Sequence, residues 1–157
     1  MLASPSSTTK RLWPSTERIG HKRGEDADLG NMGMAYADLG ETRKAIEYHE
    51  HALAIDREIG DKRGEGADLG NLGSAFYQLG EIEKALDYYN KKMPIVHEIG
   101  DRRGEGNALW GQAICSEKMN DLPQAIAKAE EALKIFEQIE SPSATTMREM
   151  LSKWRDK

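Results

Sequence analysis

The chain has 157 residues, 22 Lys and Arg against 27 Asp and Glu, 38% hydrophobic residues and a single cysteine. These figures exclude a disulfide framework, a membrane-length apolar run and a surface that coats nucleic acid, and they leave one soluble domain with an aliphatic and alanine core. The first twenty residues lack the charged-then-apolar order of a secretory leader, so the expected compartment is the cytoplasm.

Taken in chain order, the Ser/Thr-rich stretch 1–12 reads as disordered. Thr16 to Gly20 mimics the end of a helix whose beginning is missing, which makes 1–19 an N-terminal segment holding the remnant of a preceding helix. From Gly20 the chain repeats every 40 residues: 20–59, 60–99 and 100–139 align without a gap, and the first two copies are identical at 21 of 40 positions. Within a copy the apolar spacing is helical and has two phases. Leu69, Leu72, Phe76 and Leu79 share one face, and Ile82, Ala85, Leu86, Tyr89 and Met93 share another, so each copy holds two helices.

Gly60-Asp61 supplies a glycine stop followed by an N-cap carboxylate, and Gly80-Glu81 divides the unit in its middle. Such short connections force neighbouring helices to run antiparallel. Small residues recur at Gly33, Gly73 and Ala113, and again at Ala45, Ala85 and Ala125, where helices must approach closely. Pro94 inside the second helix of the middle copy predicts a kink or break, whereas Pro123 falls in a first turn and is harmless. After 140, Met147, Met150, Leu151 and Trp154 at helical spacing predict a capping helix in 141–157. The expected architecture is all-α: an α-solenoid of three helix pairs closed by a C-terminal capping helix.

The spacing Leu-x-x-[Leu/Met]-Gly-x-x-[Tyr/Phe], then Leu-Gly, then alanine four to five residues on, resembles the tetratricopeptide repeat in a 40-residue form. The third copy departs from it with Gln112, Ala113 and Ser116 at the leucine, glycine and aromatic positions, and Lys92 replaces a small residue late in the second copy. The Gly-Asp-Arg-Arg-Gly-Glu junction also resembles the repeats of Pins-family and bacterial multidomain signalling proteins, and the in-phase Asn31 and Asn71 resemble those of kinesin light chains and Pins-like proteins.

No catalytic constellation is visible, and the expectation is a non-enzymatic protein without cofactor or metal. The strings LGNLGS and GEGADLGNLG follow no strand and precede no Gly-Lys-Ser/Thr, so their glycines read as packing glycines. His49 and His51 are two apart and point to different faces of a helix. His49 occupies an aromatic position, which predicts partial burial, and Cys115 aligns with Ala35 and Ala75 as a small packing residue. Carboxylates read as solvated helix faces beside Lys and Arg, with nothing that selects a pair. Met32, Met119, Met147 and Met150 fall on packing positions, and Met34 alone is expected to face the groove.

The resemblance implies that the first helices of successive units line a concave groove. There the first unit presents Arg23, Asn31 and Met34, the second Arg63, Asn71, Ser74 and Gln78, and the third Arg103, Asn107 and Ile114, with Asn107 in register with Ala27 and Ala67. Asn31 and Asn71, by the same resemblance, are amides that hold a ligand's backbone. The chaperone-type carboxylate clamp is not matched, because Met34 and Ser74 hold its asparagine position. The paired cations Lys22-Arg23, Lys62-Arg63 and Arg102-Arg103 sit where the helix dipole disfavours positive charge. They are either a ladder for an acidic ligand or inherited repeat residues neutralised by Glu25, Glu65 and Glu105.

The expected function is a scaffold that binds an acidic protein or peptide segment, with no nucleic acid and no membrane as partner. The alternatives are the C-terminal sensor portion of a larger signalling ATPase or regulator, and a self-assembly module. Leu29, Met32, Tyr36 and Leu39 lack a complete preceding helix to cover them, so either 12–19 folds back over this end or a second chain does.

Overall fold

The computed structural model describes residues 15–157. Among them lie seven helices: α1 Ser15–Asp38, α2 Thr42–Ile59, α3 Lys62–Gln78, α4 Ile82–Glu98, α5 Arg102–Lys118, α6 Leu122–Gln138 and α7 Ser143–Arg155. Each packs on its sequence neighbour, and α3 also touches α5. The fold is an all-α solenoid, and none of its helices is long and apolar enough to cross a membrane.

The turns follow from glycine's freedom in the left-handed region. Gly40, Gly60, Gly80 and Gly100 have φ of 76°, 73°, 79° and 69°, while Asn120 and Glu140 take the same role at 61° and 54°. After each turn between units the chain closes back on the helix it has left. Asp61, Asp101 and Ser141 donate their amides to the carbonyls of Asp56, Val96 and Phe136 at 2.9, 2.9 and 2.8 Å. Asp61, Asp101 and Asp121 then cap the next helix by accepting from the amides of Gly64, Gly104 and Gln124 at 3.0, 2.9 and 3.2 Å.

Inside a unit the two helices meet small against large. A Cβ on Gly33 would come 2.7 Å from the His49 ring, and one on Gly73 would come 2.9 Å from the Tyr89 ring. In the third unit Ala113 and Ala129 are both fully buried small residues, and the cluster they join is completed by Leu151 and Trp154 of α7. Trp154 stacks on Trp110 with centroids 5.7 Å apart. The C-terminal end is thereby closed.

Two expectations need correction. Thr16 to Gly20 does not end a separate helix: it is the start of α1, and Gly20 sits within it with no positive φ to stop it. The residues from 15 to 19 therefore extend α1 and do not fold back over it, and the stretch 1–12 lies outside the described residues. The helix α4 is also not broken at Pro94. Pro94 and Asn90, whose carbonyl loses its donor, are both exposed residues.

Candidate functional site

The residues expected on the inner stripe lie on α1, α3 and α5, and they divide by environment. Arg23, Arg63 and Arg103 are exposed, as are Asn31, Asn107, Ser74 and Gln78, while Asn71 is half-buried. Met34 is exposed at 56%. Ser74 Oγ lies 3.0 Å from Tyr89 Oη, and Gln78 Oε1 accepts from Thr42 Oγ1 at 3.4 Å, so both already have partners inside the array. Ile114 packs against the cluster of Ala113, Leu151 and Trp154 and is half-buried. The structure thus leaves the arginines and asparagines available and commits Ile114 to packing.

The cation pairs split in the same way. Glu65 and Glu105 are buried acids that gather the first cation of each pair. Lys62 Nζ and Arg57 Nε reach Glu65 at 3.4 and 3.3 Å, and Arg102 Nη1 and His97 Nδ1 reach Glu105 at 2.6 and 2.8 Å. Lys22 Nζ pairs instead with Glu58 at 3.5 Å. No ion pair engages Arg23, Arg63 or Arg103 among the described residues. Neutralisation by the repeat's own glutamates therefore holds for the first member of the pair and fails for the second.

Sequence reasoning missed a second constellation at the corner where α2 passes into α3. Asp56 is 0% exposed, and no N–H or hydroxyl donor among the described residues reaches either carboxylate oxygen. Burial and the neighbouring acids Asp68 and Asp26 push its carboxyl up to about 9, and burial raises that of Asp26 as well. Carboxylate oxygens of Asp26, Asp56 and Asp61 all lie within 4.8 Å of one another. Asp68, also within reach of Asp56, is bound on its other side by His49, whose Nδ1 is 3.0 Å from Asp68 Oδ1, and His49 is fully buried, not partly so.

The reading of carboxylates as solvated faces is corrected here: Asp56, Asp68, Glu65 and Glu105 are all buried. A signal was present in the repeat register. Asp56 aligns with Val96 and Phe136, and Asp26 aligns with Gly66 and Gly106.

Two methionines also depart from expectation. Met32 and Met119 are 42% and 45% exposed. Met32 lies on the uncovered side of α1. Met119 borders a cleft of about 390 Å³, lined by Leu86, Asn90, Gln112, Ser116 and Lys128, which opens where the third unit lacks an aromatic pair. In the first two units that place is filled by Tyr36 stacked on Tyr48 and by Phe76 stacked on Tyr88, each with centroids 5.3 Å apart. Cys115 is fully buried, and its thiol is pushed up to about 11 by that burial, which removes it as a nucleophile.

These features can be set beside known proteins. Residues 26–95 match the tetratricopeptide-repeat family model. No curated protein sequence matches the chain. The fold is similar to that of the apo form of RapI, at 18% identity and TM-score 0.81, over 96% of this chain and 53% of that one. It is also similar to the TPR domain of Arabidopsis FLU, at 20% identity and TM-score 0.71, over 74% of this chain and 98% of that one. A third likeness is to aspartyl phosphate phosphatase F from Bacillus subtilis, at 18% identity and TM-score 0.72, over 88% of this chain and 38% of that one. The chain spans about half the length of RapI. Residues 26–95 thus carry the tetratricopeptide-repeat match, and the helix pairs on either side of that segment continue the same solenoid architecture.

Proposed function

We propose that this array is a non-enzymatic scaffold that binds an acidic, extended segment of a partner protein along the stripe formed by α1, α3 and α5. One observation carries the reading: in each unit the first cation of the pair is held by a glutamate, while Arg23, Arg63 and Arg103 stand exposed without an acid among the described residues. The contact between α3 and α5 supports it, since it brings the first helices of successive units side by side. Guanidinium groups meet carboxylates through two parallel hydrogen bonds, each charge-assisted bond contributing about 1.5–3 kcal/mol. Asn31, Asn71 and Asn107 offer amides that both donate and accept, which suits a peptide backbone.

The test is fluorescence anisotropy with a labelled Asp/Glu-rich peptide in low salt. Arg63→Glu with Arg103→Glu is expected to weaken binding by about a hundredfold or more, since two such contacts are lost and two repulsions are gained. Asn71→Ala weakens it less, and circular dichroism of each variant stays that of the parent. Equal affinity of parent and double variant rejects the assignment.

A second reading, self-association through α1, is favoured by the exposure of Met32, whose counterpart in α3, Leu72, is fully buried.

A further inference from the structure

The corner between α2 and α3 departs from the corner between α4 and α5 in a coordinated way. In the second unit Gly66 lies against Val96, with a Cβ at Gly66 placed 3.1 Å from Val96 Cγ1, and in the third unit Gly106 lies against Phe136 in the same manner. Val96 and Phe136 are both 1% exposed. In the first unit the small residue is replaced by Asp26 and the large apolar one by Asp56. One change alone would bury an acid in an apolar notch. Both together, with the capping Asp61 beside them, build a pocket walled by three carboxylates from α1, α2 and the turn before α3.

Three further observations show that the pocket is not neutralised from within. Among the described residues no N–H or hydroxyl donor reaches either oxygen of the fully buried Asp56 or Oδ1 of Asp26, and the side chains within bonding reach of Asp56 are the acids Asp26 and Asp68. Among the described residues the charged groups acting on Asp26 and Asp56 are other aspartates, with no lysine or arginine among them. Gly64 leaves room for the Asp56 carboxylate, because a Cβ there would stand 2.5 Å from its Oδ1. Asp26 and Asp61 are half-exposed, so the pocket is open to solvent on their side.

We propose that Asp26, Asp56 and Asp61 bind one calcium ion, which ties α1 to the α2–α3 corner. Three carboxylates from three separate elements form a hard, irregular oxygen set, which suits the flexible coordination of calcium better than the near-ideal octahedron that magnesium demands. Water on the side of Asp26 and Asp61 completes the coordination. This site departs from the expectation of no metal drawn from the sequence. It is independent of the arginine stripe.

The experiment uses the full chain, stripped with chelator and returned to calcium chloride. Saturable uptake of one ion per chain by isothermal titration calorimetry is expected, together with a rise in Tm on the order of 5 °C at a hundredfold excess over Kd. Asp26→Gly with Asp56→Val recreates the pair that already packs in the second unit, so this variant folds, and it is expected to lose both the uptake and the shift. Asp87→Asn, an exposed acid paired with Lys91, keeps both. Absence of saturable uptake by the parent in millimolar calcium would mean that the aspartates share protons only, and it overturns the proposal. Retention of uptake by the double variant overturns it equally.

Discussion

At the residue scale this repeat array is distinguished by polar groups placed where its own register calls for apolar or small ones. Lys92 is the clearest after the aspartates: it aligns with Ala52 and Ala132, is buried, and sits over Gly70, where a Cβ would meet its Nζ at 2.6 Å. Burial holds its ammonium below the ordinary lysine value of 10.5, opposed by Asp101. The folded state therefore sheds this proton at a lower pH than the unfolded chain does. The cost of the buried charge is fully present below the folded pKa, and stability recovers as pH rises toward the unfolded value. Lys92→Met is expected to stabilise the protein at pH 7 by on the order of 1 kcal/mol, and its advantage should shrink as pH approaches 10. Urea unfolding of both proteins between pH 7 and 10 measures this, and an advantage that grows with pH would refute it. Lys92 was legible as an irregularity in the sequence. That Gly70 makes room for it was not, because the two residues lie on different helices.

At the element scale, glycines that look alike in sequence do opposite things. Gly24 and Gly30 lie within α1 and a Cβ on either would meet nothing within 4 Å, whereas one on Gly111 would overlap the Tyr89 ring. Gly24→Ala and Gly30→Ala should each raise stability by about 0.5–1 kcal/mol through helix propensity alone. Gly111→Ala should lower it by about 1–3 kcal/mol, because Tyr89 has to move off its packed position. Thermal unfolding of the three variants separates them, with roughly 2–4 °C for each kcal/mol in a chain of this length. A destabilised Gly30→Ala would show that α1 has a covering neighbour on that side.

At the scale of the whole molecule the two ends of the solenoid differ. The C-terminal end is sealed by Met147, Leu151 and Trp154, and α7 is held by Arg148–Glu137 and Arg155–Glu130 pairs at 3.0 and 2.8 Å. On α1, Met32 is 42% exposed and Leu39, just past its end, is 72% exposed, while Leu72 of α3, in register with Met32, is fully buried. Amide exchange is therefore expected to be fastest in α1 and slowest in α3 and α5. Sedimentation should show association that strengthens with concentration and weakens in a Met32→Ser, Leu39→Ser variant. A species that stays monomeric at high concentration, with α1 as protected as α3, would contradict this asymmetry. The sequence by itself determined the repeat period, the helix pairs, the glycine turns, the aspartate caps and the closing helix, because each depends on residues near one another along the chain. Only the tertiary structure decided which cation of each pair is neutralised and that three aspartates meet in one pocket. It also decided that Ile114 is spent on packing and that α1 runs unbroken from Ser15. The physical reason is that those outcomes depend on distances between helices, and a carboxylate on a helical repeat looks the same in sequence whether its neighbour is water, an arginine or another acid.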